Sequence, residues 1–465
     1  MMIPKQETKI LATLGPASLS LEMIRALIQK GVDGFRINMG HEKTADLAER
    51  VRMVRSVAEQ ENAAIAVEVD LGGPKIRVAT LPKRRITLQE NSEVILGADI
   101  PLSHPEILAD IRAGHKILLD DGKLELEVIG PVAGGVKTRV KVGGVLLQGK
   151  GVNFPDTDLH MPALTDKDIK DLAAAVRAEV DYVSLSFVQR PDDMIMARQE
   201  AERHGRCPLL IAKIEKPQAV DCFEDILRVS DGVMVARGDL GVEVSPARVP
   251  VLQKQFISQC NTVGKIVITA TQMLESMIRN PRPTRAEASD VANAVWDGTD
   301  TVMLSGETAV GRYPLESVGM MRDIIAEAEK AAPPRREPFP AGTRSRVHAL
   351  ASAAVDAAEE LHARAIVALT ISGFTAQMVA QRRPTVPLIA VVPDQQARNR
   401  LALVWGVMPV VMAWGDNSDA LIGGLDKILL DEECLRPHDT VILVSGSTRL
   451  RGADFIMKIH EMPEA

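Results

Sequence analysis

The feature that most constrains this chain is a recurring unit: a short apolar run with a polar end, followed by a segment whose apolar positions keep helical spacing. Eight such runs occur, KILATLG (9–15), GFRINMG (34–40), AIAVEVDLGG (64–73), DYVSLSFV (181–188), LLIAKIE (209–215), DGVMVARGD (231–239), GKIVITATQ (264–272) and DTVMLSGET (300–308). Helical periodicity fills most of the gaps, as in PARVPVLQKQFISQC. Near-continuous apolar strands are strands buried on both faces, the mark of a parallel sheet covered by its crossover helices. Eight of them alternating with helices fit a closed (β/α)8 TIM barrel better than an open sheet.

Two stretches break the rhythm, and 465 residues leave room for more than one core. Between 78 and 157, RRITLQENSEVIL, KILLDDGKLELEVIG and KTRVKVGGVLLQGKGV alternate apolar with polar residues and carry GG, DG and DDG turns. That pattern predicts a small β-barrel domain inserted after the third barrel strand, placed as a lid. Near 330 the barrel pattern stops at EKAAPPRREPFPAG, a Pro-rich linker. Beyond it, ARAIVALTISG, PLIAVVP, PVVMAW and TVILVSG alternate with helical segments and predict a C-terminal α/β domain with an open, doubly wound sheet. The expected division is therefore 1–77 with 158–332 for the barrel, 78–157 for the insert and 333–465 for the C-terminal domain.

Composition excludes several partners. A net charge of −7 gives no basis for binding nucleic acid or a membrane, and 3% aromatic residues provide few stacking platforms. Cys207, Cys222, Cys260 and Cys434 form no CxxC pair, and the nine histidines lack metal-ligand spacing. With no signal peptide and no apolar run long enough to span a bilayer, a soluble, cytoplasmic chain is expected.

Barrel enzymes carry their chemistry at the C-terminal ends of the strands. Those ends here hold Arg36 and Asn38, Asp70, Lys213 and Glu215, Arg237 and Asp239, Thr271, and Ser305 and Glu307. Residues i and i+2 of a strand face one way, so each such pair is expected to point into one site. A ring of charges at a barrel mouth is costly unless its members pair or bind something. Glu215 and Asp239 could hold Mg²⁺ or Mn²⁺, completed by water and substrate oxygens, or Glu215 could simply pair with Lys213. Lys213 beside a metal would face phosphate or developing enolate charge; a plain buried salt bridge and Schiff-base chemistry are its other readings.

Three longer stretches, KGVNFPDTDLHMPALTDKD (150–168), MVARGDLGVEV (234–244) and TATQMLESMIRNPRPTRAEASDVANAVWDGTDTVMLSGETAVGRYPLE (269–316), closely resemble pyruvate kinases. That family has the same order of barrel, β insert after strand three, barrel again and C-terminal α/β domain. The resemblance implies phosphoryl transfer from phosphoenolpyruvate to ADP, giving pyruvate and ATP, in a homotetramer. By it Lys213 stabilises the transferring phosphoryl group and the enolate, and Glu215 and Asp239 ligate the divalent ion. Gly238, Asp239 and Thr271 hold the substrate carboxylate, Thr271 joins the network that protonates the enolate carbon, and Arg36 contacts phosphate. Asn38, His41, Arg77 and Lys150 fall where the family handles the nucleotide.

The chain departs from the family pattern in three places. Gly40 stands where a serine normally helps bind K⁺, and DLGGPKIR (70–77) places Lys75 where K⁺-activated members have glutamate. In this family that exchange marks enzymes whose lysine ammonium stands in for the monovalent cation, so Asn38, Asp70 and Lys75 form the monovalent-cation region and K⁺ is not required. A surface lysine beside a neutral Gly40 is the alternative. In ALTISGFTAQMVA, which resembles the family's phosphate-binding loop, Thr370, Ser372, Gly373 and Thr375 keep the hydroxyls and the turn, but Ile371 and Phe374 replace basic residues. A sugar monophosphate or a nucleotide is then a better effector than a bisphosphate, with a plain Ser/Thr helix cap as the alternative.

Two rival functions predict different residues. A metal-dependent aldolase or lyase acting on pyruvate enolate needs neither the insert nor Arg36, His41, Arg77 and Lys150. A degenerate regulator that only binds phosphorylated metabolites predicts loss of Lys213, Glu215, Asp239 or Thr271, and all four are present. Of the remaining motifs, SGETAVG is expected to be a barrel-top turn, Arg285, Glu287 and Asp290 a structural salt-bridge network, and Met273 and Met277 core.

Overall fold

The computed structural model describes residues 6–159, 161–331, 345–414, 418–431, 434–446 and 455–464. Eight strands, β1 (Lys9–Thr13), β2 (Gly34–Asn38), β3 (Ala66–Asp70), β4 (Tyr182–Leu185), β5 (Leu209–Ile214), β6 (Gly232–Ala236), β7 (Ile266–Ala270) and β8 (Thr301–Leu304), close into a barrel. Neighbours in the barrel are neighbours in sequence, and the register aligns Arg36 with Glu68, Asn38 with Asp70 and Ser184 with Asp70. Helix ends follow local chemistry. Ser20 caps Leu21–Lys30 and Gly31 ends it at φ 109°, while Thr165 and Thr284 open their helices with capping boxes.

The strand period of two divides the barrel's interior into layers. Leu11, Ala66, Tyr182, Ile211, Met234, Ile268 and Met303 form one buried apolar cluster, which Ala402 and Leu403 of the C-terminal domain complete. Two residues further along the same strands stand Thr13, Glu68, Ser184 and Lys213, all buried. The interior is therefore apolar where the C-terminal domain closes it and charged at the opposite end, where the strands finish.

The insert has its own apolar cluster, including Ile76, Leu96, Ile117, Leu126, Val140 and Phe154. The small barrel expected there takes the form of a five-stranded antiparallel sheet and a two-stranded ribbon (Arg85–Leu88 with Gly144–Leu147), rather than one closed ladder. In the C-terminal domain β9 (Ala365–Leu369), β10 (Leu388–Val392), β11 (Val407–Val411), β12 (Thr440–Ser445) and β13 (Ile456–Glu461) lie in the order β11-β10-β9-β12-β13, with only β13 antiparallel. Apolar clusters cover both faces of that sheet. Most of the Pro-rich linker falls in 332–344, outside the described residues.

The C-terminal domain is tied to the barrel by buried polar contacts as well as by Leu403. Arg383 pairs with Asp300 at 3.0 Å and donates to Asn261 Oδ1 at 3.0 Å, with its guanidinium 4.6 Å from the Trp405 ring centre. Lys9 Nζ donates to the Val407 carbonyl at 3.1 Å, and the Tyr182 hydroxyl donates to the Arg400 carbonyl.

Candidate active site

Lys213 is the centre of a buried network at the charged end of the barrel. Its Nζ lies 3.0 Å from Glu215 Oε1 and 3.2 Å from Asp70 Oδ1, and it donates to Ser186 Oγ at 2.7 Å. Period-two alternation along β5 is the cause, since it puts Lys213 and Glu215 on one face. Arg36, across β3, donates from Nε to Asp70 Oδ2 at 2.8 Å, reaches the same oxygen through Nη2, and donates from Nη1 to Thr13 Oγ1 at 3.1 Å. Asp70 thus sits between two cations.

The electrostatics follow from burial with pairing. Burial disfavours charge on Lys213, but Asp70 and Glu215 outweigh it and hold the ammonium above the ordinary lysine value. Burial likewise disfavours a charged Asp70, and Lys213 with Arg36 reverse this to a depressed pKa. Glu215 is the exception. Burial raises its pKa, Lys213 pulls it down, and the carboxylate of Asp239 pushes it up again, so the net shift is upward. One step inward, burial and then Asp70 raise Glu68 to about 7.

Asp239 and Arg237 were expected at the end of a strand, but β6 stops at Ala236 and both lie on the short helix Arg237–Glu243. Arg237 turns away from Asp239. It donates to the Ala270 and Thr271 carbonyls and pairs with Asp290 at 2.7 Å. Asp239 instead faces Lys75, whose Nζ is 3.5 Å from Oδ1. Ser305 and Glu307 also lie beyond their strand; buried Glu307 accepts from the Leu274 and Ser305 amides at 3.0 and 2.8 Å and shapes the turn. Of the expected salt-bridge network, Asp290 pairs with Arg237, whereas Glu287 caps its helix and holds Ser276. Met273 and Met277 are fully buried core.

Thr271 and Gln272 both have positive φ, 67° and 56°. For a β-branched residue this is a strained conformation, costing on the order of 1–3 kcal/mol and found mainly at functional sites. It turns the Thr271 hydroxyl toward the helix, where Oγ1 accepts from the Gly238 amide at 2.7 Å and donates to the Ala270 carbonyl at 2.7 Å.

The expected nucleotide residues fall into two pairs. Arg77 Nη1 donates to the Gly149 carbonyl at 3.0 Å beside Lys150, which pairs with Asp120 at 2.7 Å. Asn38 and His41 share the turn after β2, where the His41 amide donates to the Asn38 carbonyl at 3.1 Å. Of the monovalent-cation region, Asn38 and Asp70 are paired across β2 and β3. Asp70 is engaged by Arg36, Lys213 and Ser186, Asn38 Oδ1 accepts from the Gly40 amide at 2.9 Å, and Lys75 faces Asp239. A cleft of about 1030 Å³ opens between the two domains, with Gly238 and Gln272 on the barrel side and Lys116 and Asp121 on the insert.

Among the described residues no group of three or more His, Cys, Asp or Glu could hold a metal. Glu215 and Asp239 nevertheless fit a hard divalent ion. They are oxygen donors, burial and then the charge of Asp239 raise Glu215's pKa against the pull of Lys213, and Mg²⁺ sites commonly take one or two carboxylates plus water and substrate oxygens.

In the C-terminal domain Thr370, Ser372 and Gly373 lie between β9 and the helix Phe374–Ala380, and Thr375 lies in the first turn of that helix. Gly373 has φ 91°, its amide donates to Thr370 Oγ1 at 3.1 Å, and the Phe374 amide donates to Ser372 Oγ at 3.4 Å.

Several residues of the site have no strong signal in sequence. Ser186 follows Ser184 by two, a period-two hint at the end of β4. Phe187 takes φ 57° and donates its amide to Glu215 Oε2 at 2.8 Å, which only the fold reveals. Lys216, buried against Glu243 at 2.5 Å, reads as an ordinary loop lysine.

A closed parallel barrel with buried cations and carboxylates at its C-terminal end, beneath a cleft made by a second domain, defines a class: a barrel enzyme with a charged site under an inserted domain. Comparison with known proteins is specific within that class. A family model described as pyruvate kinase, barrel domain, matches residues 5–318, and one described as pyruvate kinase, alpha/beta domain, matches 348–460. Pyruvate kinase from Agrobacterium vitis is 44% identical over 454 residues, covering 95% of this chain and 93% of that protein. Pyruvate kinase from Methylorubrum extorquens is 42% identical over 456 residues, covering 95% and 94%. The crystal structure of a pyruvate kinase from Cryptosporidium parvum superposes with a TM-score of 0.91 at 31% identity, covering 99% of this chain and 97% of that one. The chain belongs to the pyruvate kinase family. Among the described residues no helix is long and apolar enough to cross a membrane.

Proposed function

We propose that this chain transfers the phosphoryl group of phosphoenolpyruvate to ADP, giving pyruvate and ATP, with Mg²⁺ or Mn²⁺ and without K⁺. The observation that carries the reading is the buried assembly of Arg36 and Lys213 against Asp70 and Glu215, with Asp239 across the site. It offers two fixed cations to a phosphoryl group and two carboxylates to a divalent ion.

Each residue has a role that its position supports. Arg36 and Lys213 are held in place by Asp70, so the charge they turn to substrate is already oriented and costs little reorganisation. Thr271 and the Gly238–Asp239 backbone border the space where the substrate carboxylate would lie. When bound, the divalent ion supplies charge that draws two anionic substrates together and neutralises the moving phosphoryl group. The bond from phosphorus to the enolate oxygen breaks, its electron pair stays on that oxygen, and a bond forms to the terminal oxygen of ADP. Lys213 stabilises the enolate, and the enolate's methylene carbon then takes a proton drawn from solvent through the Thr271 hydroxyl, whose O–H donates to the Ala270 carbonyl. Arg77 and Lys150 approach from the insert's hinge and Asn38 and His41 from the barrel, on the side assigned to the nucleotide.

Independence from K⁺ is supported by Lys75, whose half-exposed side chain turns its ammonium toward the site, 3.5 Å from Asp239 and 6.0 Å from the Phe187 ring centre. A homotetramer, in the cytoplasm, is supported by the family and by β13, an edge strand with exposed Ile456, Met457 and Ile459. The loop at Thr370, Ser372, Gly373 and Thr375 lies where the sheet order reverses between β9 and β12, the usual ligand position in such sheets, and is where a sugar-monophosphate or nucleotide effector would bind.

The test is pyruvate formation from phosphoenolpyruvate and ADP. Turnover that needs both substrates and stops when the divalent ion is chelated is expected; a folded protein that makes no pyruvate under any of these conditions contradicts the reading. A rate that rises many-fold when K⁺ replaces a bulky organic cation contradicts the role of Lys75.

A further inference from the structure

The insert joins the barrel through two chain crossings, one through Lys75 and Arg77 and the other through Gly151, Val152 and Asn153, bridged where Arg77 meets Gly151. Both crossings are tied to one short helix, Arg237–Glu243. Lys75 Nζ reaches Asp239 at 3.5 Å, and Asn153 Nδ2 donates to Glu243 Oε1 at 2.7 Å. Asp239 and Glu243 are four residues apart, so they share a face of that helix. Glu243 is 1% exposed; its Oε1 also takes Lys216 at 2.5 Å, while its Oε2 is buried with no hydrogen-bond partner. Lys216, 8% exposed, stands 5.9 Å from the same Phe187 ring that Lys75 approaches, and Phe187 in turn holds Glu215 through its amide. On the insert side, Asn153 pairs with Leu118 and Val152 with Leu119, so the anchored strand belongs to the insert's main sheet.

We infer that Asn153, Lys216 and Glu243 form a latch that sets the insert over the barrel, and that the helix Arg237–Glu243 links this latch to divalent-metal loading at Asp239. The inference rests on the metal role proposed above. Glu243 and Asn153 are positioning residues: they touch no reacting atom but fix the hinge that carries Arg77 and Lys150. A carboxylate with one oxygen doubly engaged and the other buried without a partner is expensive to leave in place for stability alone. A cation arriving at Asp239 removes the reason for Lys75 to stay there, so one hinge crossing is released while the other remains held by Glu243. The insert would then pivot about Asn153.

The experiment compares the full-length protein with Asn153→Ala by amide hydrogen exchange across residues 74–78 and 149–155, with and without Mn²⁺, and with Mn²⁺ affinity read in parallel by electron paramagnetic resonance. In the parent, Mn²⁺ alone, with no substrate, should change exchange at 74–78 and slow it at 151–153 by about threefold or more. In Asn153→Ala the response at 151–153 should vanish while Mn²⁺ affinity stays within about twofold. KM for ADP should rise about tenfold and KM for phosphoenolpyruvate should hold, because only the nucleotide residues ride on the hinge. Reversing the hydrogen bond in Asn153→Asp/Glu243→Gln should restore the response, which separates a latch from misfolding. An unchanged response in Asn153→Ala, or equal loss of affinity for both substrates, overturns the latch. Absence of Mn²⁺ binding to the parent overturns the metal site and the coupling with it, and is distinguishable because affinity is read directly.

Discussion

Replacing Lys213 with Met removes the one ammonium that faces both Asp70 and Glu215, whose side chains are 2% and 1% exposed. At an effective dielectric near 20, each contact of about 3 Å is worth roughly 5 kcal/mol of attraction before the cost of desolvation. Measured losses on breaking a buried pair are about 3–5 kcal/mol, because the surviving charge is stranded. Asp70 keeps Arg36 but Glu215 keeps only the Phe187 amide, so Glu215 should bear most of the loss. For a domain of this size, about 4 kcal/mol lowers the melting midpoint by roughly 10 °C. The sign with pH follows. Without Lys213 the folded pKa of Glu215 rises further above its unfolded value and Asp70 loses part of its depression, so the penalty is full at pH 8 and shrinks as pH falls and the groups protonate. Thermal unfolding of the parent, Lys213→Met and Lys213→Met/Glu215→Gln at pH 8 and pH 5.5 reads all of this. Lys213→Met should melt about 10 °C low at pH 8, with a smaller gap at pH 5.5 and substantial recovery in the double variant. A shift under about 2 °C at pH 8 would refute the buried-network account, whatever happened to activity.

Other consequences are equally open to measurement. Glu68, raised from 4.5 to about 7, binds a proton in the folded chain that the unfolded chain has released, so its contribution is full below pH 4.5 and lost as pH rises through 7. Glu68→Gln should therefore flatten the decline of the melting midpoint between pH 4.5 and about pH 7; an unchanged profile contradicts the shift. Arg383→Met strands buried Asp300 between barrel and C-terminal domain and should cost about 3–5 kcal/mol, seen as earlier protease cleavage near the domain junction. Thr271→Gly relieves the strain of φ 67° but removes the hydroxyl, so it should lower kcat at least about tenfold without lowering the melting midpoint. A drop in the midpoint instead would mean that the threonine is held there for stability.

What the sequence reveals is set by what is local. The eight strands and their order could be read because each is a near-continuous apolar run, and Lys213 with Glu215 stands out because two charges end such a run with strand spacing. The ends of β6 and β8 could not, since Arg237, Asp239, Ser305 and Glu307 continue the alternation on paper while the backbone has already turned into a helix. The pairing of Asp70 with Arg36 from β2 and Lys213 from β5 is a long-range contact that no spacing records. Ser186, Phe187 and Glu243 were missed for the same reason. Their importance comes from Lys213, Glu215 and Asn153, which reach them from 27, 28 and 90 residues away.

The central claim is that Glu215, at the end of β5, and Asp239, on the helix after β6, hold the divalent ion on which phosphoryl transfer depends. The most direct measurement is the rate of pyruvate formation from phosphoenolpyruvate and ADP against Mg²⁺ concentration, for the parent and for Glu215→Gln. The account predicts that half-saturating Mg²⁺ rises by about tenfold or more in the variant. A Glu215→Gln protein with the parent's Mg²⁺ dependence and the parent's rate would contradict it.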